Sequence, residues 1–164
     1  MKLLWKYLKL PTIIFGLALL FGVCLGIFLI SPTFGDAVAD LSLFKVQQFV
    51  KIAANNCGII MLVYLSVVFS RKYAYYVYAI NGFVLGTVLG WILKTNTNLM
   101  WLIVPHGIFE IPIILSTGYI VNKGEVFVRQ HFKKYLWMFV IHEVCTLLCA
   151  GIEAFITPYF QRFI

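Results

Sequence analysis

The chain of 164 residues is 62% hydrophobic and 17% aromatic, carries 12% charged residues and has a formal net charge of +7. A soluble domain holds about 25% charged residues, and a disordered chain pairs low hydrophobicity with high charge, so both classes are excluded. The basic residues stand in small groups beside apolar runs, which is how topology signals are placed and argues against nucleic acid as a partner.

What remains is an all-α integral membrane protein, a polytopic helix bundle in the lipid bilayer. At roughly 20 apolar residues per crossing, the length allows about five transmembrane helices in one membrane domain over 1–164. No length is left for a separate soluble catalytic domain.

Lys2, Lys6 and Lys9 precede the first span, Pro11 to Ile30, which is too long for a signal-peptide core and is closed by Ser31-Pro32. Residues 33–51 mix Asp36, Asp40, Lys45 and Lys51 with apolar positions and are expected to form an amphipathic interfacial helix. The second span covers about Ile52 to Ser70 and ends at Arg71-Lys72, and the third follows from about Tyr73 to Leu93. After the polar loop Lys94 to Asn98, a fourth span from about Leu99 to Val121 contains Pro105 and Pro112 and is expected to kink near its centre. A basic linker over 123–134 leads to the fifth span, Tyr135 to Thr157.

With the N-terminus inside, nine basic residues fall on the cytoplasmic side (Lys2, Lys6, Lys9, Arg71, Lys72, Lys123, Arg129, Lys133, Lys134) and four outside (Lys45, Lys51, Lys94, Arg162), which favours N-in, C-out. Gly22 and Gly26 in the first span, and Gly82, Gly86 and Gly90 in the third, mark faces where helices approach closely. Cys24, Cys57, Cys145 and Cys149 all sit in apolar runs and read as small buried hydrophobes.

Chemistry must come from groups that are costly in hydrocarbon, where an ionisable side chain at mid-bilayer costs about 2.5–3.5 kcal/mol on the insertion scale. The sequence places His106 and Glu110 in the fourth span, His142, Glu143 and Glu153 in the fifth, and the amides Asn55, Asn56 and Asn81 in the second and third. His106 and Glu110 share a helical face four residues apart, and His142, Cys149 and Glu153 line up over two and three turns. If the two faces meet, His106, Glu110, His142 and Glu153 supply nitrogen and oxygen ligands in a number that suits a divalent metal such as zinc. The plainer reading is that these groups only neutralise one another inside the bundle. His142-Glu143 begins a zincin-like string, but Thr146 stands where the second histidine is required. P-loop, nucleophile-elbow and dinucleotide-binding signatures are absent, so any energy source must be a partner.

Four segments together resemble the stage II sporulation protein M family of bacterial membrane proteins, over about residues 50–158. They are Ala53-Ala54-Asn55-Asn56, the run Asn81 to Gly86, Pro105-His106-Gly107 through Glu110 to Pro112, and Gly151-Ile152-Glu153 through Pro158. The resemblance implies a multi-pass protein of the bacterial cytoplasmic membrane. The chain is most like the short members encoded beside circular bacteriocins with an ABC-type ATPase and a small precursor peptide. It then implies a role in biogenesis of a circular bacteriocin, by leader cleavage and/or head-to-tail cyclisation of a hydrophobic precursor peptide coupled to export. In that setting the protein would be an intramembrane peptidase or cyclase. His106, Glu110 and Glu153 would be its catalytic residues, and Asn55, Asn56 and Asn81 would orient the peptide. Two alternatives stay open: a non-catalytic export or immunity subunit working with the ATPase, and a sporulation scaffold recruiting cell-wall hydrolases. Whether the chain forms a homo-oligomer is open as well.

Overall fold

In hydrocarbon every backbone N–H and C=O must find its partner inside the chain, so long apolar runs become helices. The computed structural model describes residues 2–30, 45–95 and 97–157, with the side chains of residues 2–6, 45, 98, 101, 102 and 104–106 left aside. The described residues form six α-helices: α1 (Lys2–Leu29), α2 (Lys45–Phe69), α3 (Arg71–Thr95), α4 (Met100–Ser116), α5 (Gly118–Gln130) and α6 (Phe132–Phe155), with a 3-10 turn at Thr97–Leu99 before α4. Four of them, α1, α2, α3 and α6, are long and apolar enough to cross a membrane. Large apolar side chains such as Leu17, Phe21, Leu62, Ile80, Trp137 and Leu148 are exposed around the bundle, the inverse of a water-soluble surface. The expected interfacial helix at 33–51 lies outside the described residues up to 44; its last part, 45–51, is the opening of α2.

The closest packing is between α1 and α3. A methyl group added at Gly82, Gly86 or Gly90 would run into the backbone carbonyls of Phe15, Leu19 and Val23, and one at Gly22 or Gly26 would strike those of Phe83 and Thr87. Numbers rise together on the two helices, so they are parallel, and Lys94 Nζ at the end of α3 donates to the carbonyl of Ile30 at 3.1 Å. Absent side chains at these glycines let the two backbones touch, which is how helices associate where apolar burial gives no net drive.

Helix α6 lies antiparallel to α2, since Phe49 stacks near Phe155 and Tyr64 near Tyr135, with ring centroids 5.9 and 5.1 Å apart. The core between α2, α3, α4 and α5 holds Ile60, Val63, Tyr64, Val67, Ala74, Tyr78, Ile114, Ile120 and Val121.

The fourth sequence-expected span is divided differently from the expectation. The helix runs from Met100 to Ser116 through both Pro105 and Pro112 and stops at Thr117 instead. Buried Thr117 donates its hydroxyl to the carbonyl of Ile114 at 2.5 Å and accepts from the Tyr78 hydroxyl at 2.8 Å. Gly118, next along, has the Pro11 ring where a Cβ would be. The threonine hydroxyl bonds a helical carbonyl and is fixed by a tyrosine from α3 at the one-residue interruption between α4 and α5, which falls at neither proline. At 17 residues α4 spans about 25 Å, somewhat less than the roughly 30 Å hydrocarbon thickness.

The expected basic linker is largely helix α5, and α6 begins at Phe132, ahead of the expected Tyr135. Gly124 interrupts α5 with φ +72° and ψ −169°, a conformation that only glycine adopts without strain, and it packs on the Arg71 side chain. Asn122 Nδ2 donates to the Tyr7 carbonyl at 2.5 Å, and Lys123 Nζ sits 5.0 Å from the centre of the Tyr7 ring. These contacts hold α5 against the start of α1, at the end of the bundle that carries Lys9, Arg71, Lys72, Lys123, Arg129, Lys133 and Lys134.

Candidate functional site

Two successive asparagines on a helix point about 100° apart, so only one can face a given neighbour. On α2 that one is Asn56, 7% exposed, and Asn55 stays at the surface. The Asn56 amide donates to Glu110 Oε1 of α4, and Asn55 Nδ2 donates in turn to Asn56 Oδ1 at 3.0 Å. Glu110 is 3% exposed, so a carboxyl group is enclosed in the bundle and bonded across two helices. On α3, Asn81 directs its amide to the carbonyl of Val77 at 2.8 Å.

These side chains line one cavity of about 260 Å³. Its walls are Asn55 and Asn56 from α2, Asn81, Val84, Leu85 and Val88 from α3, Ile103, Glu110 and Ile114 from α4, and Glu153 from α6. Val84 and Val88 are exposed on the outer side of α3. Among the described residues the cavity is therefore partly open, with Val84 and Val88 in the middle of α3 on its exposed rim.

Five of the residues singled out in the sequence thus meet around one space: Asn55, Asn56, Asn81, Glu110 and Glu153. The helical position of His106 is one turn before Glu110, and its side chain lies outside the described residues. His142 is placed elsewhere, and this separates it from the metal set expected with His106, Glu110 and Glu153. Its Nε2 is 2.7 Å from Ser116 Oγ, and its Nδ1 is 2.8 Å from the Tyr64 hydroxyl and 2.7 Å from the carbonyl of Met138. In either tautomer both ring nitrogens face protein groups, so neither is turned to an ion. The reason is register: His142 lies at the level of Ser116, nearly two turns beyond Glu110 on α4. Among the described residues no three His, Cys, Asp or Glu side chains are grouped to hold a metal ion.

Sequence reading did not single out Tyr64, Ser116 or Tyr135, which build the knot around His142. Tyr135 donates its hydroxyl to the carbonyl of Tyr64 at 2.8 Å, and the Tyr64 ring packs 5.1 Å from that of Phe139. The spacing of Tyr64 and Ser116 on separate helices gives no local sign of this. Glu143 on α6 lies beside Cys57 on α2. All four cysteines are free thiols; Cys149 is buried and Cys24 is exposed on α1.

The knot gives a prediction of its own. His142→Phe keeps an aromatic ring and removes the partner of a Tyr64 hydroxyl that is almost fully buried. Stability should fall by about 1–3 kcal/mol, read by chemical or thermal unfolding in detergent, with activity per folded molecule unchanged. A normal unfolding midpoint would show that the knot adds nothing.

The sequence profile of Stage II sporulation protein M matches residues 11–158. The chain belongs to that family. The match takes in α1, ahead of the 50–158 expected from motifs, in keeping with the contact of α1 on α3. An uncharacterized protein of Methanocaldococcus jannaschii is similar, 29% identical over 127 residues, covering 68% of this chain and 71% of its own length. No solved structure matches the chain. Family membership and four membrane-length apolar helices make this Stage II sporulation protein M family chain a membrane protein.

Proposed function

We propose that the protein is a multi-pass protein of the bacterial cytoplasmic membrane, N-terminus inside, that processes a hydrophobic precursor peptide into a circular bacteriocin. The processing is leader cleavage, head-to-tail joining, or both, coupled to export by an ABC-type ATPase. The observation that carries this reading is the partly open cavity in which Glu110 and Glu153 meet three asparagines from two other helices. A hydrophobic peptide partitions into the bilayer and would meet such a cavity among the membrane-length helices, without first entering water.

The residues divide the work by their chemistry. Glu110, held by Asn56, and Glu153 across the cavity are the proton-handling groups, with His106 one turn away on the Glu110 helix. Asn55 and Asn81 offer amide groups that align an extended peptide backbone. The apolar walls at Val84, Leu85, Val88, Ile103 and Ile114 keep water scarce, so an amine competes better against hydrolysis for an activated carbonyl. The test is co-expression with a candidate precursor and mass analysis of the peptide, comparing the native chain with Glu110→Gln. A precursor gene and an ATPase gene beside this one would identify the substrate to use.

A second reading rests on a different observation. Arg71, Lys72, Lys123, Arg129, Lys133 and Lys134 are all exposed at the end of the bundle that α5 covers. That surface suits an acidic face of a cytoplasmic ATPase, with the chain as a non-catalytic export or immunity subunit. Lys133→Glu with Lys134→Glu should lower co-purification of the ATPase by about tenfold or more at low salt and leave the bundle folded. Unchanged co-purification would remove this face as the docking site.

A further inference from the structure

Four membrane-length helices have one end in common: Tyr7 opens the apolar span of α1, Phe69 closes that of α2, Arg71 opens that of α3 and Phe132 opens that of α6. Helix α5 is tied to this level along its length. Gly118 packs on Pro11, Asn122 donates to the Tyr7 carbonyl, Gly124 lies against the Arg71 side chain, and His131 leads directly into α6. The cations gathered here therefore stand where the spanning helices leave the hydrocarbon, and not farther out.

Some of these charges are already engaged. Arg129 is paired with Glu125 at 2.5 Å, and Lys123 sits over the Tyr7 and Tyr119 rings at 5.0 and 5.7 Å. Arg71, Lys72, Lys133 and Lys134 are exposed and form no ion pair among the described residues. Each brings donors and no acceptor, so together they call for an anion.

Aromatic rings fix their depth. Exposed Tyr76 lies four residues along α3 from Lys72, and exposed Trp137 three residues along α6 from Lys134, so each ring is about 4–6 Å deeper than the cation. Exposed tyrosine and tryptophan mark the boundary between acyl chains and headgroups. Cations one turn outside that boundary are at the height of lipid phosphates, and exposed Phe69 and Phe132 beside them meet acyl chains. An acidic protein would have to reach that height past the lipid, whereas anionic headgroups are already there.

We infer that this end of the bundle is a seat for anionic phospholipid, whose headgroups are held by Arg71 and Lys72 from α3 and by Lys133 and Lys134 from α6. Gly124 carries the Arg71 side chain on its bare backbone and so places that cation at the face of α5. The seat uses none of the residues that line the cavity, so it stands whether or not the protein processes a peptide.

The test reconstitutes the full chain in phosphatidylcholine bilayers with a trace of spin-labelled phosphatidylglycerol or spin-labelled phosphatidylcholine, and reads the motionally restricted, protein-bound fraction. Both probes carry a phosphodiester, so a difference between them reports net charge. A cation at an anionic surface is worth roughly fivefold in affinity, so even averaged over the whole protein boundary the native chain should favour phosphatidylglycerol by about threefold or more. Raising salt to about 1 M, where the screening length is about 3 Å, should remove most of that preference. Lys72→Gln, Lys133→Gln and Lys134→Gln together should remove it at low salt. Lys72→Arg, Lys133→Arg and Lys134→Arg should keep it, as should Lys51→Gln with Lys94→Gln at the far end of the bundle. Equal binding of the two probes by the native chain overturns the inference. A preference that survives high salt or the three glutamines belongs to another surface and overturns it as well. Indifference to lipid charge, with salt-sensitive binding of poly-L-glutamate that the three glutamines abolish, would assign these cations to an acidic protein instead.

Discussion

Glu110→Gln should abolish maturation of the peptide while leaving the protein in the membrane. Glutamine keeps the length of the side chain and an oxygen that can accept from the Asn56 amide, so the link between α2 and α4 survives. What it removes is a group that can take and return a proton. General acid–base contributions run to about 10²–10⁴-fold, so mature peptide should fall at least about 100-fold at equal protein level, measured by mass spectrometry of extracted peptide. Glu110→Leu separates the two roles. It leaves the buried Asn56 amide without its acceptor and should cost about 1–3 kcal/mol of stability as well. Normal amounts of circular peptide from the Glu110→Gln chain would end the enzymatic reading.

Gly86→Leu should disassemble the bundle. The Gly86 face lies against the Leu19 backbone, and no rearrangement of a side chain can make room where the obstruction is a carbonyl. The two helices would have to separate along the contact that also involves Gly22, Gly26, Gly82 and Gly90. Overpacking usually costs about 1–3 kcal/mol, and this case belongs at or above the upper end because backbone must part from backbone. Unfolding in detergent should therefore begin at much lower temperature, with early proteolysis of α1, whereas Gly16→Ala and Gly58→Ala, with open space around them, should behave as the native chain. A native-like midpoint for Gly86→Leu would mean that α1 and α3 do not touch in this way.

The pairing of these two results separates chemistry from architecture. Glu110→Gln acts in a folded protein, and Gly86→Leu acts on the fold at a distance from the cavity's acids. If both variants lose peptide but only the second loses its unfolding transition, the cavity is where the work is done.

The sequence by itself determined that the chain enters a membrane, because the cost of placing each side chain in hydrocarbon is local and sums along a run. It also marked the glycine faces of α1 and α3, and it named the costly residues that now surround the cavity, since hydrophobicity and helical spacing are both readable in one dimension. Asn55, Asn56, Asn81, Glu110 and Glu153 stood out there for a single reason, their polarity in apolar surroundings. Only the tertiary structure decided which of the polar groups meet. Whether His142 faces Glu110 or Ser116 depends on the axial offset between α4 and α6, which no spacing within either helix specifies. The junction of α4 and α5 has the same character: two prolines give a visible local signal, yet the helix is interrupted at Thr117, where Tyr78 of α3 bonds the threonine and Pro11 of α1 packs on Gly118. Partners contributed by distant segments set the offset and the break, and an energy shared between distant segments leaves no periodic trace along the chain.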